Sequence, residues 1–285
     1  MKVAFLGLGV MGYPMAGHLQ AAGYEVCVYN RTTAKAEQWA KQHGGRFDAT
    51  ISGAVQGAEL VMMCVGNDDD VRAVAYQAKD AMAPGSILVD HTTASADVAR
   101  ELNQALGALS LGFLDAPISG GQAGAENGQL TIMVGGDEAV YQRAEAVLAT
   151  YAKQIKRLGD AGSGQLCKMV NQICIAGVVQ GLAEGINFAQ KAGLNVADVV
   201  EVISKGAAQS WQMENRALTM DKAQYDFGFA VDWMRKDLAI ALSEARKNGS
   251  ALPLTALVDQ FYADVQRLGG SRWDTSSLLV RLQNS

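Results

Sequence analysis

The chain has 285 residues, about twice a typical single domain, so two domains that each bury their own core are expected. A formal net charge of −5 offers no basic surface to nucleic acid or to an anionic membrane, which excludes both as expected partners. Apolar residues at 49 % and charged residues at 19 % are ordinary for a soluble globular protein. No run approaches the roughly 18 apolar residues of a membrane span. The apolar stretch after Met1 is too short for a signal peptide, so a cytoplasmic location is expected. The cysteines (Cys27, Cys64, Cys167 and Cys174) are scattered, as are His18, His43 and His91, so neither a metal site nor a disulfide framework is expected.

In chain order, Lys2–Leu6 reads as a short buried strand, followed by glycines and a helical pattern from Met11 to Ala22 that Gly23 closes. Glu25–Tyr29, Glu59–Val65 and Ser86–Asp90 read as further strands, and Asp69–Met82 as a helix stopped at Pro84-Gly85. Later strands are expected at Phe113–Ala116, Leu130–Val134 and Ile155–Leu158. Strands alternating with helices argue for a mostly parallel sheet in an α/β domain. After Leu158 the alternation stops. Asp160–Gly164 is a turn in which Ser163 can cap a helix. A proline-free run of about 28 residues, Gln165 to Ala192, would span roughly 40 Å as one helix. The remainder has helical patterns and a single proline, Pro253. The expected architecture is an α/β Rossmann domain over 1–162, an interdomain helix over 163–193 and an all-helical domain over 194–285.

The chemistry starts at Gly7-Leu8-Gly9-Val10-Met11-Gly12, a GxGxxG directly between a strand and a helix. Gly7 permits the tight turn, Gly9 lets a pyrophosphate approach the backbone, and Gly12 lets helix and strand pack closely. The helix N-terminus then presents free N–H groups and the positive end of its dipole to the phosphates. At the end of the second strand an NAD enzyme usually carries an acid for the ribose diol. Here Tyr29 runs into Asn30-Arg31-Thr32. Arg31 can pair with a 2′-phosphate and Asn30 or Thr32 can donate to it, which favours NADP(H) over NAD(H).

Two later segments can serve a substrate. Asp115-Ala116-Pro117-Ile118-Ser119-Gly120-Gly121 follows a strand and offers a hydroxyl and approachable backbone N–H groups, suited to a carboxylate. Lys168 opens the long helix with Asn171 and Gln172 at i+3 and i+4, one ammonium and two amides on one face. Carbonyl reduction leaves charge on oxygen and needs a proton donor, and a lysine in a partly dry cleft can serve.

The segments Gly7–Met15, Asp115–Gly121, Gly162–Gln172 and Gly228–Leu238, in that order, resemble the β-hydroxyacid dehydrogenase family, which includes 3-hydroxyisobutyrate dehydrogenase and several semialdehyde reductases. The resemblance implies a Rossmann domain, a long interdomain helix and a helical domain. It implies that Lys168 is the catalytic lysine, that Ser119, Gly120 and Gly121 bind a substrate carboxylate, and that Asn171 and Gln172 orient the substrate. It further implies that Thr93 and the Cys64-Val65 turn approach the nicotinamide ribose and that Lys236 reaches the same site. A homodimer or homotetramer is implied as well. Two departures stand out: Val65-Gly66-Asn67 where the family often has proline, and Asp90-His91-Thr92-Thr93 where it often reads Asp-x-Ser-Thr. Trp211, Met213, Phe229 and Trp233 are candidates for the pocket wall. Competing readings are a 6-phosphogluconate dehydrogenase, whose lysine motif normally carries His-Asn, an imine reductase, which typically replaces the lysine, and a catalytically silent NADP-binding protein on the same fold. The substrate is left open among small hydroxy acids and semialdehydes.

Overall fold

The structure, a computed structural model, describes residues 1–284. It divides into two compact units, Met1–Lys168 and Met169–Ser285. In the first unit β1 (Lys2–Leu6), α1 (Gly12–Ala21), β2 (Glu25–Tyr29), α2 (Thr33–His43), β3 (Arg46–Phe47), α3 (Ile51–Val55), β4 (Leu60–Met63) and α4 (Asp68–Lys79) come first. They are followed by β5 (Ile87–Asp90), α5 (Ala96–Gly107), β6 (Gly112–Asp115), β7 (Ile118–Ser119), α6 (Gly121–Glu126), β8 (Leu130–Gly136), α7 (Glu138–Leu148) and β9 (Ala152–Gly159).

The strands form one sheet in the order β3-β2-β1-β4-β5-β6-β8-β7, with β9 on β8. From β3 to β6 every pairing is parallel, while β8 runs antiparallel to β6 and β7. The central strands are apolar on both faces, as a sheet covered by helices on each side requires. In β1, Val3 and Phe5 enter one core while Ala4 and Leu6 enter the other. β4 repeats this, Leu60 and Met62 to one side and Val61 and Met63 to the other. Chain order reverses between β1 and β4, and the crevice beyond the carboxyl ends at such a switch is where open α/β sheets bind ligands.

Two strands escape the sequence reading. Arg46–Phe47 and Ile118–Ser119 are two residues long, too short to show any alternation. The second lies inside the segment read as a substrate turn, where Ile118 pairs with Ile132 and Ser119 with Thr131.

The long helix is α8 (Ser163–Lys191), followed by α9 (Val196–Ile203), α10 (Trp211–Asp221), α11 (Val231–Asn248), α12 (Pro253–Arg267) and α13 (Leu278–Gln283). The second unit is built around Ala176, Val179, Ala183 and Ile186 of α8, packed with Met213, Met234, Val258 and Tyr262. By length and composition α8 is apolar enough to cross a membrane, with a mean hydropathy of 1.4 over its most apolar stretch. No unbroken apolar run of that length is visible in the sequence because Asn171, Gln172 and Gln180 interrupt it, although the average stays high. Its buried face is the core just described.

Candidate functional site

The glycine turn is shaped by close backbone approach. Gly7 sits at φ +98°, and a Cβ there would lie 2.2 Å from the Cys64 carbonyl oxygen. A Cβ on Gly12 would lie 2.0 Å from the Gly7 oxygen, so helix and turn touch through backbone. Over Gly9 a Cβ would meet nothing within 4 Å, and no side chain caps α1. An uncapped helix start beneath open space is what a pyrophosphate needs, so the turn fits a dinucleotide. Leu8 is buried, whereas Val10 is exposed and Met11 half-buried. The Asn30 carboxamide oxygen accepts from Leu8 N at 3.0 Å and its Nδ2 donates to the Thr32 carbonyl at 3.1 Å. Asn30 therefore buttresses the turn, with one of its two amide hydrogens given to Thr32. Arg31 and Thr32 stand exposed at the end of β2.

At the carboxyl ends of β4, β5 and β6 a second framework assembles. Val65 N donates to Thr92 Oγ1 at 2.9 Å, and Thr92 N donates to Asp90 Oδ1 at 2.9 Å. Asp115 is fully buried, and its carboxylate accepts from Gly162 N at 2.8 Å and Gln165 N at 2.9 Å. Burial pushes the Asp115 carboxyl above its usual range against the pull of these N–H groups. Asp115 is thus the cap of α8, and Ser163, expected in that role, is the first residue of the helix. Gln165 spans to Ala94 N (3.0 Å) and the Thr92 carbonyl (2.7 Å). His91 is also buried. Its Nδ1 lies 2.7 Å from the Ala116 carbonyl and its Nε2 2.9 Å from the Tyr151 hydroxyl. A carbonyl can only accept, so Nδ1–H donates to it and Nε2 accepts from Tyr151. Desolvation holds this imidazole down at about 4, hence neutral.

Ser119 is half-buried on β7, and Gly120 and Gly121 form the turn into α6 with φ of 131° and 60°. Lys168, 7 % exposed, lies on α8 one turn after Gln165. It is the last residue of the first unit, so Asn171 and Gln172, on the same helix, belong to the second. There Asn171 Nδ2 donates to Gln172 Oε1 (2.8 Å), and Gln172 Nε2 donates to the buried Asp237 carboxylate (2.7 Å). Lys236 pairs with Asp237 at 3.2 Å and lies over the Trp233 ring. Of the candidate wall residues, Met213 is part of the second unit's core, while Arg216 lies over the Trp211 ring and Phe229 N donates to Asp274. Among the described residues no group of three or more His, Cys, Asp or Glu is placed to hold a metal ion.

Comparison with known proteins decides what this arrangement belongs to. The family model for the NAD binding domain of 6-phosphogluconate dehydrogenase matches residues 2–159. The model for NAD-binding of NADP-dependent 3-hydroxyisobutyrate dehydrogenase matches 162–282. The chain is 32 % identical to the 2-hydroxy-3-oxopropionate reductase of Escherichia coli, over 99 % of this chain and 97 % of that one. The chain belongs to the β-hydroxyacid dehydrogenase family. An oxidoreductase of Shewanella frigidimarina is 63 % identical over 100 % of this chain and 99 % of its own. The solved structure of Mycobacterium tuberculosis 3-hydroxyisobutyrate dehydrogenase with L-serine superposes with a TM-score of 0.89 at 30 % identity, covering 99 % of each chain. The family is one of NAD(P)-dependent hydroxyacid dehydrogenases on a Rossmann-like domain followed by a helical domain, as the fold here shows.

Seven polar residues in these frameworks carry no role in the sequence analysis: Asp90, His91, Thr92, Asp115, Tyr151, Gln165 and Asp237. Asp115 lies within a quoted segment and Gln165 beside Lys168, but nothing local signals that either bonds a partner tens of residues away.

Proposed function

We propose that this chain transfers hydride between NADP(H) and a small β-hydroxy acid or its semialdehyde or oxo-acid partner, with Lys168 as the general acid and base. The observation that carries the reading is a nearly buried lysine one turn into a helix whose head Asp115 and Gln165 fix. When bound, the dinucleotide supplies or accepts the hydride. The Gly7–Gly12 turn would hold its pyrophosphate, and Arg31, with no acid at the end of β2, would pair with the 2′-phosphate. Thr93 and the Cys64-Val65 turn are assigned to the nicotinamide ribose, with Lys236 as a further cofactor contact. Ser119 and the N–H groups of Gly120 and Gly121 would bind the substrate carboxylate, and Asn171 and Gln172 would orient its hydroxyl. Lys168 Nζ then gives a proton to the forming alkoxide in reduction and withdraws one in oxidation. A homodimer or homotetramer is the proposed assembly, as the family resemblance implies.

A panel of C2–C4 semialdehydes and hydroxy acids, run with both cofactors, tests the reading. Substrate-dependent oxidation of NADPH, with aldehydes lacking a carboxylate turning over poorly, is the expected result. Equal turnover without the carboxylate would remove the Ser119 loop from its role. No turnover on any member would leave a dinucleotide-binding protein instead.

A further inference from the structure

Gln165 is fully buried, and all its side-chain polar atoms are committed to one stretch of backbone. Its Oε1 accepts from Ala94 N and its Nε2 donates to the Thr92 carbonyl. The two contacts straddle Thr93, the residue assigned above to the nicotinamide ribose. Thr92 is held from its other side by Val65 N and Asp90. On its own helix, Gln165 precedes Lys168 by three residues, one turn. Its backbone N–H is itself fixed, by Asp115.

We infer that Gln165 is a positioning residue: its amide locks the Thr92–Ala94 loop to the head of α8 and so sets the loop that receives the nicotinamide ribose relative to the proton donor Lys168. This rests on the function proposed above, because only there does the relative placement of Thr93 and Lys168 matter. Buried amides bonded at both ends resist displacement, since moving them strands a donor and an acceptor in a dry site. Hydride and proton must arrive at adjacent atoms of one carbonyl group, and small misplacements at such centres are costly.

The test uses two near-isosteric variants. Gln165→Met removes both contacts. Gln165→Glu keeps an acceptor for Ala94 N but as a carboxylate cannot donate to the Thr92 carbonyl. The charged groups around the position are Asp115 on β6, Asp90 on β5, Arg100 on α5 beside Gly162, and Lys168 on its own helix. Burial and two carboxylates push the new glutamate's ionisation upward, against the pull of the two cations. Protonation restores the missing donor, so turnover by the glutamate variant rises relative to the parent enzyme as pH falls, while the methionine variant stays low throughout. For Gln165→Met, kcat falls about tenfold or more while KM for the substrate changes little. The second readout needs no activity. In the cofactor-free protein, exchange of the Ala94 amide hydrogen speeds up about tenfold or more in Gln165→Met. Unchanged Ala94 exchange overturns the lock whatever the kinetics. Faster exchange with parental kcat overturns its role in positioning. Glutamate and methionine variants with parallel pH profiles do the same. Should Lys168 prove dispensable while Ala94 exchange still responds, the proposed function fails and the lock stands.

Discussion

The N-termini of α1 and α8 belong to the same unit yet are finished in opposite ways. At α1 no side chain caps the first turn, and the space over Gly9 is open. At α8 a fully buried carboxylate takes up the Gly162 and Gln165 N–H groups, and Gln165 bonds the loop after β5. The two ends carry the same dipole and the same surplus of donors. What differs is whether the protein supplies the anion. An end left without one is fit to receive a phosphate, and an end closed by Asp115 is fit to hold a side chain such as Lys168 in place.

The largest expected effect breaks the closed end. Asp115→Ala leaves backbone N–H groups without an acceptor in a dry site, at about 4 kcal/mol of stability if each costs about 1–3. Gly9→Ala is its counterpart at the open end. Its added methyl meets nothing, so stability should change by less than about 0.5 kcal/mol while NADPH affinity falls about tenfold or more. Urea unfolding of both variants, with NADPH binding followed by fluorescence, makes the comparison. A marked loss of stability in Gly9→Ala, or none in Asp115→Ala, would remove the contrast.

Acid sharpens it next. The His91 imidazole ionises at about 4 in the fold, against an ordinary value of 6.5. The unfolded chain binds that proton first, so the contribution is complete above the unfolded value and is lost as pH falls toward the folded one. Between pH 7 and pH 4.5 the loss should be about 2.5 kcal/mol. The raised Asp115 carboxyl works the other way, since its protonation relieves a burial cost. Urea midpoints of the parent and His91→Asn at both pH values separate the two contributions. A parent whose stability falls no more steeply than the variant's would show that His91 is not held neutral.

A further effect concerns the cofactor. Arg31→Ala should weaken NADPH by about 1–3 kcal/mol, the range for a charge-assisted bond, and leave NADH nearly untouched. Equal loss for both in binding titrations would make Arg31 a structural residue.

The same contrast explains how much of the molecule is legible in its sequence. The open end is local: a strand, three glycines at fixed spacing and a helix start, and β1 and β2 fall on the expected residues. The mostly parallel sheet and the helical remainder come from hydrophobic patterning in the same way. The closed end is made by partners far apart in the chain, Asp115 with Gly162 and Gln165, and Gln165 with Thr92 and Ala94. No spacing rule links those residues, so a turn serine reads as the cap that a distant aspartate provides. Asp237 behind Gln172 is hidden for the same reason.

The central claim is that the closed end exists to hold a proton donor, and Lys168→Ala tests it most directly. In single-turnover oxidation of bound NADPH by a substrate from the panel, the rate should fall at least about 10²-fold, the lower range for a positioned acid–base group. NADPH binding should persist, and Lys168→Arg should not rescue the rate, because a guanidinium keeps its proton at neutral pH. A correctly folded Lys168→Ala enzyme that retains more than about a tenth of the parental rate would contradict the account.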